Sequence, residues 1–390
     1  MMTQPWVALG EAVNISKDRI EPSDYPDRMF NFVGLETIEG HTGNLLSHPL
    51  TSGNEIKSTK NVFKPGQILY GKLRPYLNKV HLANADGICS TDIYVLEPKA
   101  NRADAAYVAY FLRSPNVLGV VENLMEGANL PRINQDNLLG IEIPLPPLDE
   151  QRRIVSILDE AEALRQLRAR ADERMAEFIP ALFNQMFGDP ATNPKGWPSF
   201  ALDDVCDKIT DGTHNSPPNT DSGIPYITAK HLRPYGLDFS LDPTYISPED
   251  HRGIYTRCDP KCGDVLYIKD GVTTGLAAIN NYDFEFSMLS SLALLRSNAN
   301  ICVPEYLWAW LNNPSVNYVM LQDMAGAAIK RLTIVKIKRA KILIPLLSLQ
   351  HEFAARVAEA RALQDQQARS RARLDAGFQA LLHRAFAGEL

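Results

Sequence analysis

Basic side chains are concentrated in two stretches of this sequence, residues 56–85 and 324–351, and neither stretch contains an acidic residue. Aromatic side chains lie between the basic ones of the first stretch, at Phe63, Tyr70 and Tyr76. Lysine and arginine bind phosphate oxygens, while arginine and amide side chains can form paired hydrogen bonds with base edges. The two stretches therefore predict contacts with nucleic acid.

The predicted contact residues form two groups, one in each half of the chain. In the first half they are Lys72, Arg74, Tyr76, Lys79, Asn129, Arg132, Asn134 and Gln135. In the second half they are Thr213, His214, Asn215, Lys230, His231, Arg233, Lys269, Thr273, Thr274, Lys330 and Arg331. Any one of them could belong to an ordinary solvated basic surface, but two paired clusters favour nucleic acid.

The overall charge points the other way. The chain of 390 residues has 40 basic and 46 acidic side chains and a formal net charge of −6, which is not typical of a simple nucleic-acid binder. Eight of the acidic residues lie in one segment, residues 149–177. The negative charge is thus separated along the chain from the two basic stretches.

Composition also bears on location. There is no run of about 18 apolar residues that could cross a membrane, and no basic segment followed by an apolar one as in a secretory signal. The five cysteines are odd in number and scattered, which is typical of a reducing compartment. We expect a cytoplasmic protein without a membrane segment.

Motifs for catalysis are weak or missing. The sequence contains no GxxxxGK[ST] phosphate-binding loop and no Asn/Asp-Pro-Pro-aromatic motif of amino-group methyltransferases, the nearest being residues 313–315. Asp92 with residues 97–99 (Glu-Pro-Lys) superficially resembles the carboxylate pair and lysine of a nuclease, but it has no counterpart in the second half. These searches favour a binding protein over an enzyme.

Metal and nucleophile sites are equally weak. Cys258 and Cys262 could supply two zinc ligands, but no second pair follows at the required spacing. His214 and His251 have no convincing serine or cysteine partner in the sequence. We therefore predict no catalytic residue, no metal and no cofactor in this chain.

The sequence contains an internal repeat. Six landmarks recur in the same order, at offsets of 191 to 201 residues. Residues 64–72 (KPGQILYGK) recur as residues 261–269 (KCGDVLYIK), and residues 143–145 (IPL) recur as residues 344–346. The sequence therefore predicts a tandem duplication of a unit of about 195 residues.

Each unit has a globular part followed by a long helix. Short β-type runs between turn residues predict a mixed α/β globule. Residues 149–187 contain no glycine and a single proline, Pro180, which predicts a long helix. The predicted boundaries are a first globule at 1–143, a first helix at 144–188, a linker at 189–196, a second globule at 197–344 and a second helix at 345–390. Lys336 and Lys338 alternate with apolar neighbours, which predicts a half-buried strand.

Apolar residues in the two helices recur every three or four positions, as in a coiled coil. Because an isolated helix with one apolar stripe is marginal in water, we expect the helices to pair antiparallel. The predicted pairing residues are Ile154, Ile157, Leu164, Met175, Phe178 and Leu182 in the first helix, and Val357, Leu374, Phe378 and Leu381 in the second.

At this point a family resemblance is visible over nearly the whole chain. The starts of both helices, the opening of the second globule and the end of the chain resemble the specificity subunits of type I restriction-modification systems. The segments that carry the resemblance are residues 143–159, 344–353, 196–197, 211–214 (Asp-Gly-Thr-His), 223–227 and 385–390. The first globule lacks the Asp-Gly-Thr-His run.

The resemblance implies an α/β (mixed α+β) fold with two target-recognition domains, two long antiparallel coiled-coil helices between them and an internal pseudo-twofold repeat. Each domain would read one half of a split, asymmetric target in double-stranded DNA, and the conserved helices would set the gap between the halves. The chain would recruit two methyltransferase (M) subunits and, through them, restriction (R) subunits. S-adenosylmethionine, ATP and Mg²⁺ are expected in those partners, and the chain itself would catalyse nothing.

Three other functions remain open on the sequence alone. A specificity subunit of a related system, whose partner fuses methyltransferase and nuclease, would look the same. A coiled-coil scaffold whose globules bind proteins would also have two globules and paired helices. A self-sufficient nuclease would cleave DNA without partners.

Overall fold

The computed structural model describes residues 5–46, 50–234, 236–322 and 331–390. The chain divides into two compact units. Unit 1 consists of Met1–Arg170 and Ala368–Leu390, and unit 2 consists of Ala171–Gln367. Each unit therefore contains one globule, a part of the first long helix and a part of the second.

The described part of unit 1 is a mixed α/β globule. Its strands are β1 (Trp6–Ala8), β2 (Val13–Ile15), β3 (Arg19–Ile20), β4 (Met29–Phe30), β5 (Phe32–Val33), β6 (Thr51–Ser52), β7 (Lys60–Phe63), β8 (Ile68–Gly71), β9 (Val80–Leu82), β10 (Gly87–Cys89), β11 (Ile93–Pro98) and β12 (Glu142–Pro144). Its helices are α1 (Leu9–Ala12), α2 (Ala105–Arg113), α3 (Pro115–Leu124), α4 (Gln135–Leu139) and the first part of α5 (Leu148–Phe187).

Two four-stranded sheets organise the strands described for unit 1. One is antiparallel, in the order β2-β11-β8-β9, and the other has the order β3-β7-β10-β5, with β10 and β5 parallel. Strand β1 pairs with β12, which joins the start of the globule to the segment before α5. In β11, Ile93, Val95 and Leu96 are buried and the other residues are half-buried, so the strand packs on the core.

The core of unit 1 includes both long helices. Ile154 and Leu158, from the start of α5, are buried in the same apolar cluster as Phe378 and Phe386, from the end of the chain. The ring of Phe386 lies 5.2 Å from that of Tyr107 on α2, in an edge-to-face arrangement. Burying several large side chains at about 1.5–3 kcal/mol each makes this contact a principal stabilising feature of the unit.

Unit 2 repeats this plan. Its strands are β13 (Ser199–Ala201), β14 (Cys206–Asp211), β15 (Ile224–Ile227), β16 (Leu232–Arg233), β17 (Gly236–Leu237), β18 (Tyr245–Ile246), β19 (Val265–Ile268), β20 (Ala277–Ile279), β21 (Ser287–Met288), β22 (Leu292–Ser297) and β23 (Lys341–Leu343). Its helices are α6 (Leu202–Val205), α7 (Pro248–Arg257), α8 (Pro304–Leu311), α9 (Pro314–Gln322), α10 (Ile334–Arg339) and the first part of α11 (Leu347–Ala387).

The main sheet of unit 2 has the order β14-β22-β19-β20, and β13 pairs with β23. These arrangements correspond strand for strand to β2-β11-β8-β9 and to the pair β1 and β12 of unit 1. The remaining pairings differ, since unit 2 has a sheet β18-β15-β21 and a hairpin of β16 and β17. The internal repeat that the sequence predicts is confirmed.

The core of unit 2 uses the other two helix ends. Phe183 and Phe187, from the end of α5, lie in one cluster with Phe353 and Val357, from the start of α11. The ring of Phe187 is 4.8 Å from that of Tyr306 on α8. In each unit, then, the beginning of one long helix packs beside the end of the other. The predicted antiparallel pairing and the predicted mixed fold are both confirmed.

The pairing stripe of α5 differs from the predicted one at two positions. Leu164 is 54% exposed and Phe178 is 46% exposed, so neither joins the buried stripe. Instead, Arg165 occupies the stripe and forms ion pairs with Glu162, at 2.6 Å, and Asp375, at 2.7 Å. Arg165 follows the buried Leu158 by seven residues, which is one heptad. The sequence prediction instead continued from Ile157 to Leu164.

The other pairing residues lie on the predicted face. Buried members are Ile154, Leu182, Val357 and Phe378, and half-buried members are Ile157, Met175, Leu374 and Leu381. The middle of the stripe is polar in both helices. The side-chain amide of Gln364 donates a hydrogen bond to the backbone oxygen of Met175, at 3.4 Å.

The segment around Lys336 and Lys338 is a helix, α10, and not the predicted strand. The side chain of Thr333 accepts a hydrogen bond from the backbone N–H of Lys336 and thereby caps the helix start. Only Ile337 is buried among the residues of α10. In a helix of six residues with one buried position, charged and apolar residues can alternate in the sequence just as they do in a strand. This explains the wrong prediction.

Candidate nucleic-acid interface

In each unit, two segments that are distant in the sequence meet at the end of the main sheet. The loop between β8 and β9, residues 72–79, lies beside the segment that precedes α4. The backbone N–H of Arg74 donates to the oxygen of Pro131 at 2.7 Å, and that of Ile133 donates to Lys72 at 3.1 Å. Leu73 and Arg132 form an antiparallel bridge. The first basic stretch is thereby joined to residues 127–134.

The same backbone arrangement recurs in unit 2. The N–H of Leu332 donates to the oxygen of Lys269 at 2.9 Å, and Asp270 forms an antiparallel bridge with Arg331. Lys72 and Lys269 are equivalent in the repeated motif, and so are Arg132 and Arg331 by this bridge. The fold therefore places one arginine at the same backbone position in both units.

Arg74, Tyr76 and Leu77 are exposed in the unit 1 loop. Arg74 has a left-handed backbone conformation, with φ of +50°, and begins a short 3-10 turn with Pro75 at its first position. Tyr76 is 38% exposed. A rigid turn limits the freedom that these side chains lose on contact with a ligand. The arrangement suits a guanidinium and an aromatic ring that face an external partner.

Three further candidates of unit 1 have partners within the unit. The ammonium group of Lys72 lies 5.1 Å from the ring centroid of Tyr94, and that of Lys79 donates to the backbone oxygen of Leu35. Asn134 caps α4, because its side chain accepts a hydrogen bond from the N–H of Asn137 at 2.8 Å. Asn129 is exposed, as is Gln135 at the start of α4.

The loop of unit 2 has a different tip. It runs from Gly271 to Gly275, whose φ angles are +105° and +102°, and such values favour glycine. Val272 is fully exposed and Thr273 is exposed between them. Thr274 is held inward, since its hydroxyl donates to the oxygen of Gly271 at 2.6 Å. An apolar and a hydroxyl side chain therefore replace the guanidinium and ring of unit 1.

Lys269 corrects one sequence prediction. Its side chain is only 8% exposed and lies between two carboxylates, 3.4 Å from Asp211 and 3.8 Å from Asp270. A buried, paired ammonium group does not reach a phosphate on another molecule. Its role is to neutralise these two carboxylates inside the unit. Arg331, by contrast, has a side chain that is 62% exposed. Lys330 lies outside the described residues.

Gly212 and Thr213 of the Asp-Gly-Thr-His segment, together with residues 215–217, line one wall of an open cavity of about 460 Å³ in unit 2. A Cβ atom on Gly212 would lie 1.9 Å from the oxygen of Met288, so the backbones approach too closely for any side chain. Thr213 closes a small turn by accepting a hydrogen bond from the N–H of Asn215 at 3.2 Å. The other wall is α7, including Arg257.

Asp211 forms ion pairs that hold this segment beside α7. Its carboxylate is buried and pairs with Arg257, with Lys269 and, at 3.4 Å, with His214. His214 is 60% exposed. The imidazole and the guanidinium lie side by side, with 3.4 Å between Nε2 of His214 and Nη2 of Arg257, and both are held by one carboxylate. The sequence prediction included His214 but not Asp211 or Arg257.

The candidates between residues 230 and 233 have partners within the unit. Lys230 forms an ion pair with Asp242 at 2.8 Å, and Arg233 donates to the backbone oxygens of Lys230 and Leu232. His231 is buried, with its Nδ1 accepting a hydrogen bond from the N–H of Thr228 at 3.0 Å. Burial lowers the pKa of His231. It is therefore a structural residue and not the predicted contact.

Two other constellations have structural explanations. Asp92 pairs with Arg132, while Glu97 accepts a hydrogen bond from Gln67 and Lys99 donates to the oxygen of Gly10. They do not converge on one site as nuclease residues would. Among the described residues, no group of three or more His, Cys, Asp or Glu side chains is placed to hold a metal ion.

A serine–histidine–carboxylate arrangement does occur, although the sequence gave no sign of it. His251 has Nδ1 at 3.0 Å from the hydroxyl of Ser287 and Nε2 at 3.4 Å from Glu285. Ser287 is fully buried between strand and helix. A nucleophile must reach its substrate, so these contacts serve to fasten α7 to β21.

None of the helices in the described ranges is long and apolar enough to cross a membrane. The cysteine thiols differ in their exposure to solvent. Burial raises the pKa of Cys89, Cys206 and Cys258 to about 12 each, whereas Cys262 is exposed. Because the thiolate is the reactive form, burial makes the first three inert at neutral pH.

Comparison with known proteins gives a consistent result. The family profile described as type I restriction modification DNA specificity domain matches residues 8–172 and 194–361. The EcoDI specificity subunit of Escherichia coli is 33% identical over 150 residues, which are 38% of this chain and 33% of that protein. The EcoKI specificity subunit of Escherichia coli (strain K12) is 25% identical over 316 residues, covering 73% of this chain and 66% of that protein. The matched part thus spans about a third of the EcoDI subunit.

The fold is also shared with solved structures. A chain from a structure that concerns complex assembly and conformational transition of the type I R-M system aligns over 99% of this chain and 98% of its own length. The TM-score is 0.65 and the sequence identity is 24%. The two-unit architecture described above is therefore found in another protein of similar length.

Proposed function

Because the chain belongs to the type I restriction modification DNA specificity domain family, we propose that it is the DNA-specificity subunit of a type I restriction-modification complex. In this proposal each unit reads one half of a bipartite, asymmetric target in double-stranded DNA. The chain catalyses nothing itself and works in the cytoplasm on the DNA of the cell. The methylation and cleavage chemistry belongs to partner subunits, together with S-adenosylmethionine, ATP and Mg²⁺.

One structural feature carries the proposal. In both units a loop at the end of the main sheet is bridged to the segment before a short helix, but the exposed side chains of the two loops differ. The backbone bridges Leu73–Arg132 and Asp270–Arg331 are equivalent, so each unit would approach DNA in the same way. The loop tips differ, with Arg74 and Tyr76 in one unit and Thr273 with its exposed valine neighbour in the other. Base edges are distinguished by such hydrogen-bonding and apolar groups, so the two half-sites would differ in sequence.

The repeat also supports two copies of one partner. Leu164 on α5 and Leu363 on α11 are equivalent residues, 199 positions apart in the sequence, and both are about half exposed, at 54% and 50%. Val120 and Val319 form a second equivalent pair, 45% and 58% exposed. Exposed apolar residues that recur in both repeats are suited to bind a protein twice. We propose that two methyltransferase subunits bind here and that restriction subunits join through them.

The experiment is to express the chain with its methyltransferase partner in cells free of adenine methylation and to map methylated adenines in the DNA. The expected result is one split, asymmetric sequence with a methylated adenine in each half. Cells with the methyltransferase alone are the control and should show no such sequence.

Other outcomes would identify the alternatives. Co-purification of the partner without any sequence-selective methylation would contradict the proposal and favour a protein-binding scaffold. A partner polypeptide that both methylates and cleaves would place the chain in the related fused system. Mg²⁺-dependent cleavage of DNA by the purified chain alone would contradict the non-catalytic role.

A further inference from the structure

Arg132 and Arg331 are the two exposed arginines that the fold places at equivalent backbone positions, and each has a carboxylate beside it. The Nε and Nη2 atoms of Arg132 are both 3.4 Å from Oδ1 of Asp92. The Nε atom of Arg331 is 3.7 Å from Oδ2 of Asp270. A carboxylate lowers the attraction of this surface for phosphate, so its presence in both units calls for a separate explanation.

The two carboxylates come from different places in the repeat. Asp92 lies at the turn before β11, where its backbone oxygen accepts the N–H of Lys72 at 3.0 Å. In unit 2 the equivalent backbone acceptor, which binds the N–H of Lys269, is Ser291, and a serine has no carboxylate. Asp270 instead occupies the bridge position that Leu73 holds in unit 1. The same pairing with an arginine has thus been built twice, from non-equivalent residues.

The two carboxylates are positioned by different contacts. The N–H of Asp92 donates to the hydroxyl of Ser90 at 3.2 Å, which closes a short turn. The side chain of Asp270 is 16% exposed and lies 3.8 Å from the ammonium group of buried Lys269. That ammonium group is anchored in turn by Asp211. The side chain of Asp270 is therefore restrained by its ionic contacts, whereas the backbone of Asp92 is fixed by a short turn.

An exposed ion pair of this kind contributes little to stability, but it restricts a flexible side chain. In Arg132 the Nη2 atom also contacts Asp92, and Nη1 lies 3.5 Å from the backbone oxygen of Leu130. Because each Nη atom carries two N–H groups, one N–H on each remains for a further acceptor. Paired N–H donors from one arginine match the O6 and N7 acceptors of guanine in the major groove. Fixing the guanidinium before contact removes the rotamer freedom that binding would otherwise cost.

We propose that Asp92 and Asp270 are positioning residues that orient Arg132 and Arg331 toward a guanine, one in each half-site. This inference rests on the proposed function. Because the two carboxylates approach their arginines from different backbone positions, the two guanidinium planes are presented differently, and the guanines they select lie at different places in the two half-sites.

The test uses Asp92→Asn and Asp270→Asn in the full chain with its methyltransferase partner. Matched controls are Glu11→Gln and Asp203→Asn, which alter the exposed ion pairs Glu11–Arg102 and Asp203–Lys338 away from these bridges. Methylated adenines are mapped in the DNA, and discrimination is the ratio of methylation at the target to methylation at single-base variants of it.

We expect Asp92→Asn to reduce discrimination at one base pair of one half-site by about tenfold, with the other half-site unchanged. Asp270→Asn should do the same in the opposite half-site. Affinity for non-specific DNA should stay equal or rise, because a negative charge has been removed. Adding Arg132→Ala to Asp92→Asn should cause no further loss beyond that of Arg132→Ala alone, as expected when both act through one contact.

Three results separate the possible failures. If the unmodified chain directs no methylation to a split target, the proposed function is wrong. If it does, but both asparagine variants keep the original discrimination, the positioning role is wrong and the proposed function stands. If both variants lose methylation at all sites together while the controls do not, the carboxylates are structural, and the inference is overturned.

Discussion

Two glutamines show how much one buried polar residue can hold. Gln151 at the start of α5 is fully buried, and its side chain accepts from the N–H of Asp104 and donates to the oxygens of Arg102 and Pro146, each at 2.8 Å. Gln350 at the start of α11 does the same with the backbone groups of 303, 301 and 345. Each glutamine fastens the beginning of a long helix to its own globule.

Replacing either glutamine by leucine should therefore be severe. Gln151→Leu leaves one buried N–H and two buried carbonyl groups without this partner, and we expect a loss of about 2–4 kcal/mol in the free energy of unfolding. The check is thermal and denaturant unfolding of the full chain. Gln366→Leu, at an exposed position of α11, is the control and should change the free energy of unfolding little. An equal effect of both substitutions would contradict the proposed role of Gln151 in fastening α5 to its globule.

Arg74 is the exposed guanidinium at the loop tip of unit 1. We expect Arg74→Ala to weaken recognition of one half-site by about 1–3 kcal/mol, as for the loss of one paired contact with a base. Arg331→Ala serves as the reciprocal variant and should affect the other half-site. Binding to target DNA and to DNA with each half-site altered measures both. Unchanged affinity and unchanged half-site preference would remove these arginines from the interface.

At the level of elements, short helices next to the interface depend on their caps. Asn134 begins α4 and Thr333 begins α10 in the equivalent place. We expect Asn134→Ala to cost about 1 kcal/mol of stability, whereas Asn134→Ser keeps a cap and costs less. Unfolding midpoints of the two variants give the comparison. A changed recognition sequence with Asn134→Ser would instead support the contact with bases that the sequence predicts.

The length of the long helices can be tested against the gap between the two half-sites in DNA. Helix α5 runs without interruption from Leu148 to Phe187, and Arg165 pairs with Asp375 of α11 within unit 1. Four residues inserted after Ala163, with four more after Ala376 to keep the helices paired, lengthen the pair by about 6 Å. We expect the tolerated gap between half-sites to grow by roughly two base pairs.

The measurement for this insertion is again the map of methylated adenines. The control replaces residues 160–163 by the inserted sequence at unchanged length, and it should keep the original gap. A lengthened variant that methylates the original target with the original gap would refute the proposed role of the helices.

For the whole molecule, the end of the chain is part of the unit that contains its beginning. Removing residues 368–390 takes Phe378, Leu382 and Phe386 out of the core of unit 1, and each large apolar side chain contributes about 1.5–3 kcal/mol. We expect unit 1 to open. Buried Cys89 belongs to unit 1 and buried Cys258 to unit 2, so the two thiols report on the units separately.

Maleimide labelling followed by mass spectrometry gives the result. We expect Cys89 to react at least about tenfold faster in the truncated chain, because opening lowers its raised pKa and exposes its sulfur, with Cys258 unchanged. Exposed Cys262 should react quickly in both chains and is the internal reference. Equal protection of Cys89 in the two chains would contradict the dependence of unit 1 on the end of α11.

The sequence by itself was sufficient for the duplication, the long helices and the mixed fold. These depend on local patterns: repeated motifs such as residues 64–72 and 261–269, the absence of glycine, and apolar spacing of three and four. Such patterns persist because each helix and strand must bury one face. The exposed arginines, Arg74 and Arg331, were also identifiable, since an acid-free basic stretch is visible without coordinates.

Only the tertiary structure decided which of these side chains are available and which are held. Lys269 looks like a contact residue in the sequence, yet long-range packing places it between Asp211 and Asp270. Arg165 replaces Leu164 in the helix stripe because two carboxylates compensate its charge. Asp92 meets Arg132 across 40 residues. Burial and ion pairing depend on groups that are distant in the sequence, so no local pattern reveals them.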